Sequence, residues 1–445
     1  MVWWVGALSM LGLALLLQSG LLAYSMYALA ALMLVSRSLA SRKLNDIQAT
    51  RSPLSRVLEQ GDTVVMRVKV ANRGAAPVPW LLLEDLLPKS ALRPRDPALE
   101  VEGRRLKLVM MGPGGKTDIK YRLRALRRGY HQIGPLVAEH GDLFGLYRRF
   151  KVLTEPAFIL VLPKVVPVQA YELASRRPVG EIRLAHRLFE DPTLLRGVRA
   201  YEPGDPLRRI HWRATARTGV LQSKLYEPSC LAGSTLLLDF HADGYHLQGE
   251  PDRSDLAVVA SASLVAALCG LKQQVGLITN GRDAAERVRT EGYELEPDSR
   301  VDARNAGREQ GVEEHLHPVV LSTRRGEEQL ARAREILARL EPQRGLTLEQ
   351  LVAASQGRLP RDATVLCLLP RVTLEGAMVL GDMRRRGYAV SVVLIAIPEN
   401  DLPVALARLT AERLIDVRHL RTEAQIPMLC GNQVDRSSPY AVSTE

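Results

Sequence analysis

Two apolar runs at the start of the chain restrict its fold more than any other feature. Val2 to Leu17 is almost wholly apolar, Gln18-Ser19-Gly20 interrupts, and Leu21 to Val35 is apolar again. Each run is about 15 or 16 residues, a little under the ~20 of a membrane-spanning helix, and extension into the break or the flanks makes up the difference. The pattern predicts a transmembrane helical hairpin over residues 1–37. A cleavable signal peptide is the alternative, but the first run lacks a basic leading segment and a second run comes at once. Arg37, Arg42 and Lys43 come directly after the second run. Basic residues beside a span favour the cytoplasmic side, and Trp3 and Trp4 suit the interface. The expectation is a multi-pass protein of the cytoplasmic (inner) membrane whose soluble domains face the cytoplasm.

The chain beyond the anchor is too long for one core. The 445 residues are 46% hydrophobic and 24% charged, which suits two or three folded domains. The formal charge of +11 fits nucleic acid, an anionic membrane surface or an acidic protein partner. Only 5% of residues are aromatic, too few for base-stacking platforms, and no nucleic-acid-binding motif is present. Membrane lipid and proteins are therefore the expected partners, not nucleic acid. Cys230, Cys269, Cys367 and Cys430 form no CxxC pair, which reads as reduced, structural cysteine.

Over residues 50–165 short alternating strands are separated by turn residues. Val64, Met66, Val68 and Val70 alternate with Val65, Arg67 and Lys69, and Leu106 to Met110, Ile119 to Leu123 and Phe158 to Leu162 are further strands. An antiparallel β-sandwich is expected. Residues 166–195 read as a polar, basic connector. Over 228–430 strands alternate with helices: strands at Thr235 to Asp239, Gln274 to Thr279, Ala363 to Leu369 and Tyr388 to Ile397, helices at Leu256 to Leu271, Gly326 to Leu340, Leu348 to Ala354 and Leu374 to Arg386. That alternation predicts a doubly wound α/β sheet. Glu291 to His317 is charged and lacks periodicity, as in a long loop, and 431–445 is a polar tail.

Between the two lies the stretch with most information per residue, 196–227. Pro203 and Gly204 suit the centre of a type II turn, Asp205 suits a helix N-cap with Pro206 at the first helical position, and Gly219 suits the exit. On that helix Leu207, Ile210 and Ala214 form an apolar stripe, opposite Arg209, Arg213 and Arg217. Like charges at this spacing oppose the helix by roughly 0.2–0.5 kcal/mol per pair, so an acidic partner or anion is expected opposite. Internal pairing with Glu202, Asp205 or Glu227 is the plain alternative to a docking surface. Trp212 fits either stacking on an arginine or ordinary core packing.

The order R-x-Y-x-P-G-D-x-x-R-x-I-x-W-x-x-x-A-R-x-G-x-L at Arg199 to Leu221 closely resembles the signature of the MoxR-associated family of domains of unknown function, number fifty-eight. Arg128-Gly129-Tyr130-His131, Gly134-Pro135 and Asp142-Leu143-Phe144-Gly145-Leu146 resemble that family's second block, with Leu143 in place of its usual proline. The resemblance implies a membrane hairpin and β-sandwich ahead of the motif and a degenerate von Willebrand factor A-like domain behind it. It also implies a partner, a MoxR-type AAA+ ATPase, in the assembly or activation of other proteins. The partner-binding residues expected are Arg199, Tyr201, Gly204, Asp205, Arg208, Arg209, Trp212, Arg213 and Arg217.

A von Willebrand factor A domain would present Asp-x-Ser-x-Ser at the end of its first strand, the hard oxygens that Mg²⁺ takes. This chain has Asp239-x-His241-x-Asp243. A histidine there disfavours Mg²⁺, and the later strand ends in Leu369-Pro370 with no carboxylate, so no cofactor is expected. The alternative is a metal-dependent enzyme holding a divalent ion such as Mn²⁺, Fe²⁺ or Zn²⁺ with Asp239, His241, Asp243 and His246. No GxxxxGK[ST] loop and no G-x-S-x-G elbow occur, which argues against ATP hydrolysis and against a serine-nucleophile hydrolase. The expected function is a non-enzymatic, membrane-anchored adaptor that binds proteins. A binder of nucleic acid or anionic lipid driven by the basic excess ranks below both.

Overall fold

A computed structural model describes residues 9, 12, 16, 20–40, 46–52, 56–141, 148–168, 190–201, 210–228, 233–245, 249–291, 317–360 and 364–429. The chain forms two compact units. The first comprises Met1–Lys164, Arg282–Glu313 and Arg334–Glu341, and the second Val165–Gly281, Glu314–Ala333 and Pro342–Glu445.

In the first unit the second apolar run forms a helix, Gly20–Ala40. Of the first run only Ser9, Gly12 and Leu16 are described, each helical. Next in the chain come strands β1 (Ile47–Arg51), β2 (Val57–Glu59), β3 (Thr63–Asn72), β4 (Val78–Asp85), β5 (Leu99–Gly103), β6 (Leu106–Met111), β7 (Lys116–Ala125), β8 (Gly129–Ile133), β9 (Leu136–Gly141), β10 (Arg148–Val152) and β11 (Ala157–Leu162). They make sheets ordered β1-β3-β7-β5, β10-β9-β4-β6 and β2-β11-β8. The alternation read from the sequence sets which side chains meet: Met66, Val68 and Val70 of β3 are buried with Ile119, Tyr121 and Leu123 of β7 and Leu81 and Leu83 of β4. Every second residue of β3 thus faces one core, as a period of two requires.

Glu84, Asp85 and Arg282 are charged groups buried in this unit. The Asp85 carboxylate accepts from Arg51 Nη1 at 2.9 Å and Nη2 at 2.6 Å, and from Tyr121 Oη at 2.7 Å. Two-pronged pairing with a third donor satisfies a carboxylate that water cannot reach. Gly134 (φ +85) lies against this cluster, and a Cβ there would collide with Arg51 Nη2. The glycine of the second sequence block is thus explained by backbone conformation and by space. Arg128 of the same block donates from Nη1 to Leu337 O at 3.0 Å and Leu340 O at 2.9 Å. Residues 142–147 of that block lie outside the described residues.

Beyond Val165 the strands are β12 (Glu190–Ala200), β13 (Gln222–Pro228), β14 (Gly233–Leu238), β15 (Gln274–Thr279), β16 (Arg282–Asp283), β17 (Val319–Arg324), β18 (Leu340–Glu341), β19 (Thr364–Leu369), β20 (Ala389–Ile395) and β21 (Val417–Leu420). The short strands β16 and β18 pair within the first unit. In the second unit β12 pairs with β13, and six strands form one sheet ordered β17-β15-β14-β19-β20-β21. Its neighbours run parallel except β17, which is antiparallel to β15. Counted along the chain the order is third, second, first, fourth, fifth, sixth. The direction of build-up reverses between the first and fourth strands, β14 and β19, where α/β sheets open a crevice at the carboxyl ends.

The β14, β15 and β19 strands are buried along almost their whole length because helices cover the sheet. The helix Asp252–Gly270 is apolar enough to cross a membrane, but 67% of its apolar window is buried inside the protein, which makes it a core helix. Cys367 on β19 is buried as a free thiol, with burial pushing its pKa up to about 12, and Cys269 is also free. Cys230, Cys430 and the tail 431–445 lie outside the described residues.

The structure departs from the sequence expectations at several elements. β12 begins at Glu190, inside the stretch read as a connector to 195. β17 comes after the charged segment as an edge strand whose residues are only half-buried or exposed, so its apolar signal is short. The helix Leu402–Ala411 and β21 close the sheet where no element was expected.

Candidate functional site

The signature stretch is built around β13. On one side β12 pairs with it, Arg199 opposite Ser223 and Ala200 opposite Gln222. Tyr201 continues this edge, its N–H donating to Leu221 O at 2.9 Å. On the other side buried Ile210 bridges to Ser223, and His211 N donates to Gln222 O at 2.8 Å. The described helix therefore starts at Trp212 and runs to Thr218, while Pro206 and Leu207 of the helix read from the sequence lie outside the described residues. Its cap is His211, whose Nδ1 accepts from Ala214 N at 3.0 Å. Gly219 (φ 73) ends the helix as expected, its N–H donating to Thr215 O at 2.9 Å. Gly204, Asp205, Arg208 and Arg209 lie outside the described residues.

This short helix holds Trp212, Arg213 and Arg217 away from the core. Trp212 is 68% exposed, which corrects the core-packing alternative. Arg213 and Arg217 are exposed, and among the described residues no carboxylate pairs with either. Val198, Val220 and Leu221 are exposed as well. Arg199, whose Nη1 donates to Ala200 O at 3.2 Å, and Tyr201 belong to β12 and its continuation.

The second candidate lies at the sheet's reversal point. Asp239 comes directly after β14 and is 3% exposed. Its Oδ1 accepts from Asn280 Nδ2 at 2.8 Å and His241 N at 3.2 Å, and its carbonyl accepts from Tyr245 Oη at 2.9 Å. Asn280, directly after β15, also accepts from Phe240 N at 2.6 Å and donates to Leu346 O at 2.8 Å. Gln343 adds a donor to Asn280 O at 3.1 Å and accepts from Ala242 N at 2.8 Å. Burial pushes the Asp239 carboxyl above its ordinary range, against the hydrogen bonds from Asn280 and His241.

The other two candidate ligands serve the loop. His241 Nδ1 accepts from Asp243 N at 3.3 Å, and Asp243 Oδ1 pairs with Arg344 Nε at 3.2 Å. Among the described residues no three His, Cys, Asp or Glu side chains converge as a metal ion requires. His246 lies outside the described residues. The arrangement is a hydrogen-bond hub that fixes the loops after β14 and β15. Sequence reasoning missed Asn280 as the centre of that hub; its place at a strand end beside β14 was the available signal.

Similarity to known proteins is distant. An uncharacterized protein, YeaD, of Bacillus subtilis (strain 168) is 26% identical over 223 residues, 49% of this chain and 54% of that protein. The chain thus spans about half the length of this curated relative. Among solved structures, trypsin-activated α2-macroglobulin from Escherichia coli is 16% identical over 37% of this chain and 9% of its own, with a TM-score of 0.21. The CARDB domain of a Pyrococcus furiosus protein is 16% identical over 26% of this chain and 94% of its own, with a TM-score of 0.17. Residues 197–294, which take in both the Trp212 surface and the Asp239 hub, match the model of the family described as Protein of unknown function DUF58.

Proposed function

We propose that this chain is a membrane-anchored, non-enzymatic adaptor that binds other proteins through Trp212, Arg213 and Arg217. The observation that carries this reading is an indole 68% exposed beside two exposed arginines, neither paired with a described carboxylate. Tryptophan and arginine are the residue types that dominate binding energy at protein interfaces, and two exposed arginines favour an acidic partner. The resemblance to MoxR-associated proteins supplies the partner class, a MoxR-type AAA+ ATPase acting in the assembly or activation of other proteins. The sheet order, with its third strand antiparallel, supports reading the α/β region as von Willebrand factor A-like. The hub around Asp239 supports a loop-shaping role there, since Oδ1 is already engaged by two donors.

The anchor rests on the N-terminal apolar runs. The helix Gly20–Ala40 is about 31 Å long at 1.5 Å per residue, and Arg37 is its one charged residue. Paired with the preceding apolar run it makes the hairpin, which holds the soluble domains at the cytoplasmic face.

The test is capture from detergent-solubilised membranes in the presence of ATP, comparing wild type with Arg213→Glu and Trp212→Ala after circular dichroism shows all three folded. Wild type should bring down an AAA+ ATPase and both variants should lose it. Full retention by both variants, or no ATPase with wild type, would sink the proposal.

A further inference from the structure

The sheet β10-β9-β4-β6 has an inner and an outer face, and strand register sorts its residues between them. Leu81 and Leu83 point into the sandwich core with Val109 and Ala138. Leu82 pairs with Leu108, and Glu84 with Leu106, on the outer face. Solvated antiparallel sheets carry polar residues on their outer face. Here the edge strand β6 places Leu106, Leu108 and Met110 there, exposed by 43%, 66% and 79%. Across β4 and β9 the same face continues to Phe150 and Val152 of β10. An exposed, contiguous apolar row on an edge strand is what soluble proteins blunt, so its persistence marks an interaction surface.

We propose that this outer face rests on the interfacial zone of a phospholipid bilayer, with Leu108 and Met110 inserted at headgroup level. The inference rests on the anchoring reading above. Two observations select lipid as the occupant. The apolar helix Gly20–Ala40 packs against β9, a strand of this same sheet, so the face begins beside the element that enters the bilayer in that reading. The carboxylates on this side of the sheet are also compensated: Glu84 is buried, with Oε1 3.7 Å from Arg105 Nη1, and Glu139 Oε1 lies 3.4 Å from Arg148 Nη1. No bare negative charge would therefore be pressed against anionic headgroups, and the arginines can reach past their partners to phosphate.

The experiment uses the full chain reconstituted into phosphatidylcholine–phosphatidylglycerol vesicles, with ordinary or brominated acyl chains as the tryptophan quencher. Met110→Trp reports the proposed face. Arg122→Trp reports the exposed outer side of β7 in the opposing sheet. The native tryptophans are common to both and subtract out. The Met110→Trp emission should shift to the blue and fall about twofold on brominated lipid, as for a residue at interfacial depth, with Arg122→Trp unchanged. Carbonate extraction of the same vesicles separates the two ways of failing. A chain that resists extraction while Met110→Trp stays unquenched overturns the face and leaves the anchor; if analytical sedimentation in detergent then shows a dimer that Met110→Glu disperses, the face belongs to a second copy. A chain released by carbonate overturns the anchor and the face together.

Discussion

Asp85, Asp239 and His131 each sit where burial decides their chemistry, and each gives a measurable consequence. Asp85 is wholly buried between Arg51 and Tyr121. Arg51→Met would strand that carboxylate, so unfolding by urea should show a loss of about 3–5 kcal/mol. Asp239 is held above its ordinary range by burial. Its folded state keeps the proton more tightly than the unfolded chain, so its contribution is favourable in acid and is lost as pH rises from about 4 through the raised folded value. Asp239→Asn preserves the Oδ1 acceptor and removes the ionisation. The unfolding midpoint at pH 7 should rise and its fall with pH should flatten; a lower midpoint would show that the charge is wanted there. For His131 the sign reverses: burial pushes the imidazole down to about 4. Stability is then lost as pH falls from ~6.5 to ~4, by at most about 3 kcal/mol, and His131→Leu should abolish that limb. Asp239 was legible beforehand because a strand-end position is local, His131 only as a member of the second sequence block, and Asp85 not at all. The partners of Asp85 and Asp239 come from strands far apart in sequence, and no local pattern encodes such meetings.

At the level of elements, the helix Trp212–Thr218 shows how tertiary pairing sets where a described helix begins. Ile210 and His211 are claimed by β13, and His211 caps the helix that follows, whereas Asp205 and Pro206 lie outside the described residues. The exit was legible because a left-handed residue after a helix is a local demand that glycine meets. Gly219→Ala should therefore lower stability by about 1 kcal/mol, readable as a lower thermal midpoint, while leaving the exposed Trp212 fluorescence unchanged. Strands such as β3 and β7 were legible from strict alternation, which survives because one face of each is buried. β12 and β17 were not. The first lies in polar sequence of mixed charge and, among the described residues, pairs only with β13, and the second lies at the rim of its sheet, where half-burial leaves a faint apolar pattern.

At the scale of the whole molecule the broad plan was readable: β-rich sequence, then the arginine-bearing motif, then strand–helix alternation. Composition and period carry that much because they reflect which surfaces must be buried. They carry nothing about which separate stretches gather into one unit. The first compact unit is made of three, 1–164, 282–313 and 334–341. Within it Arg287 meets Glu341 through Nε at 2.8 Å, and Arg334 meets Glu59 through Nη2 at 2.6 Å. A chain emerging from the ribosome would therefore complete this unit only after residue 341 has been made, long after strands β1 to β11 are out. For the same reason no single cut in the gene separates the two units. A fragment ending at Lys164 should give up the Glu59–Arg334 pair and be more easily digested than the same residues in the intact protein.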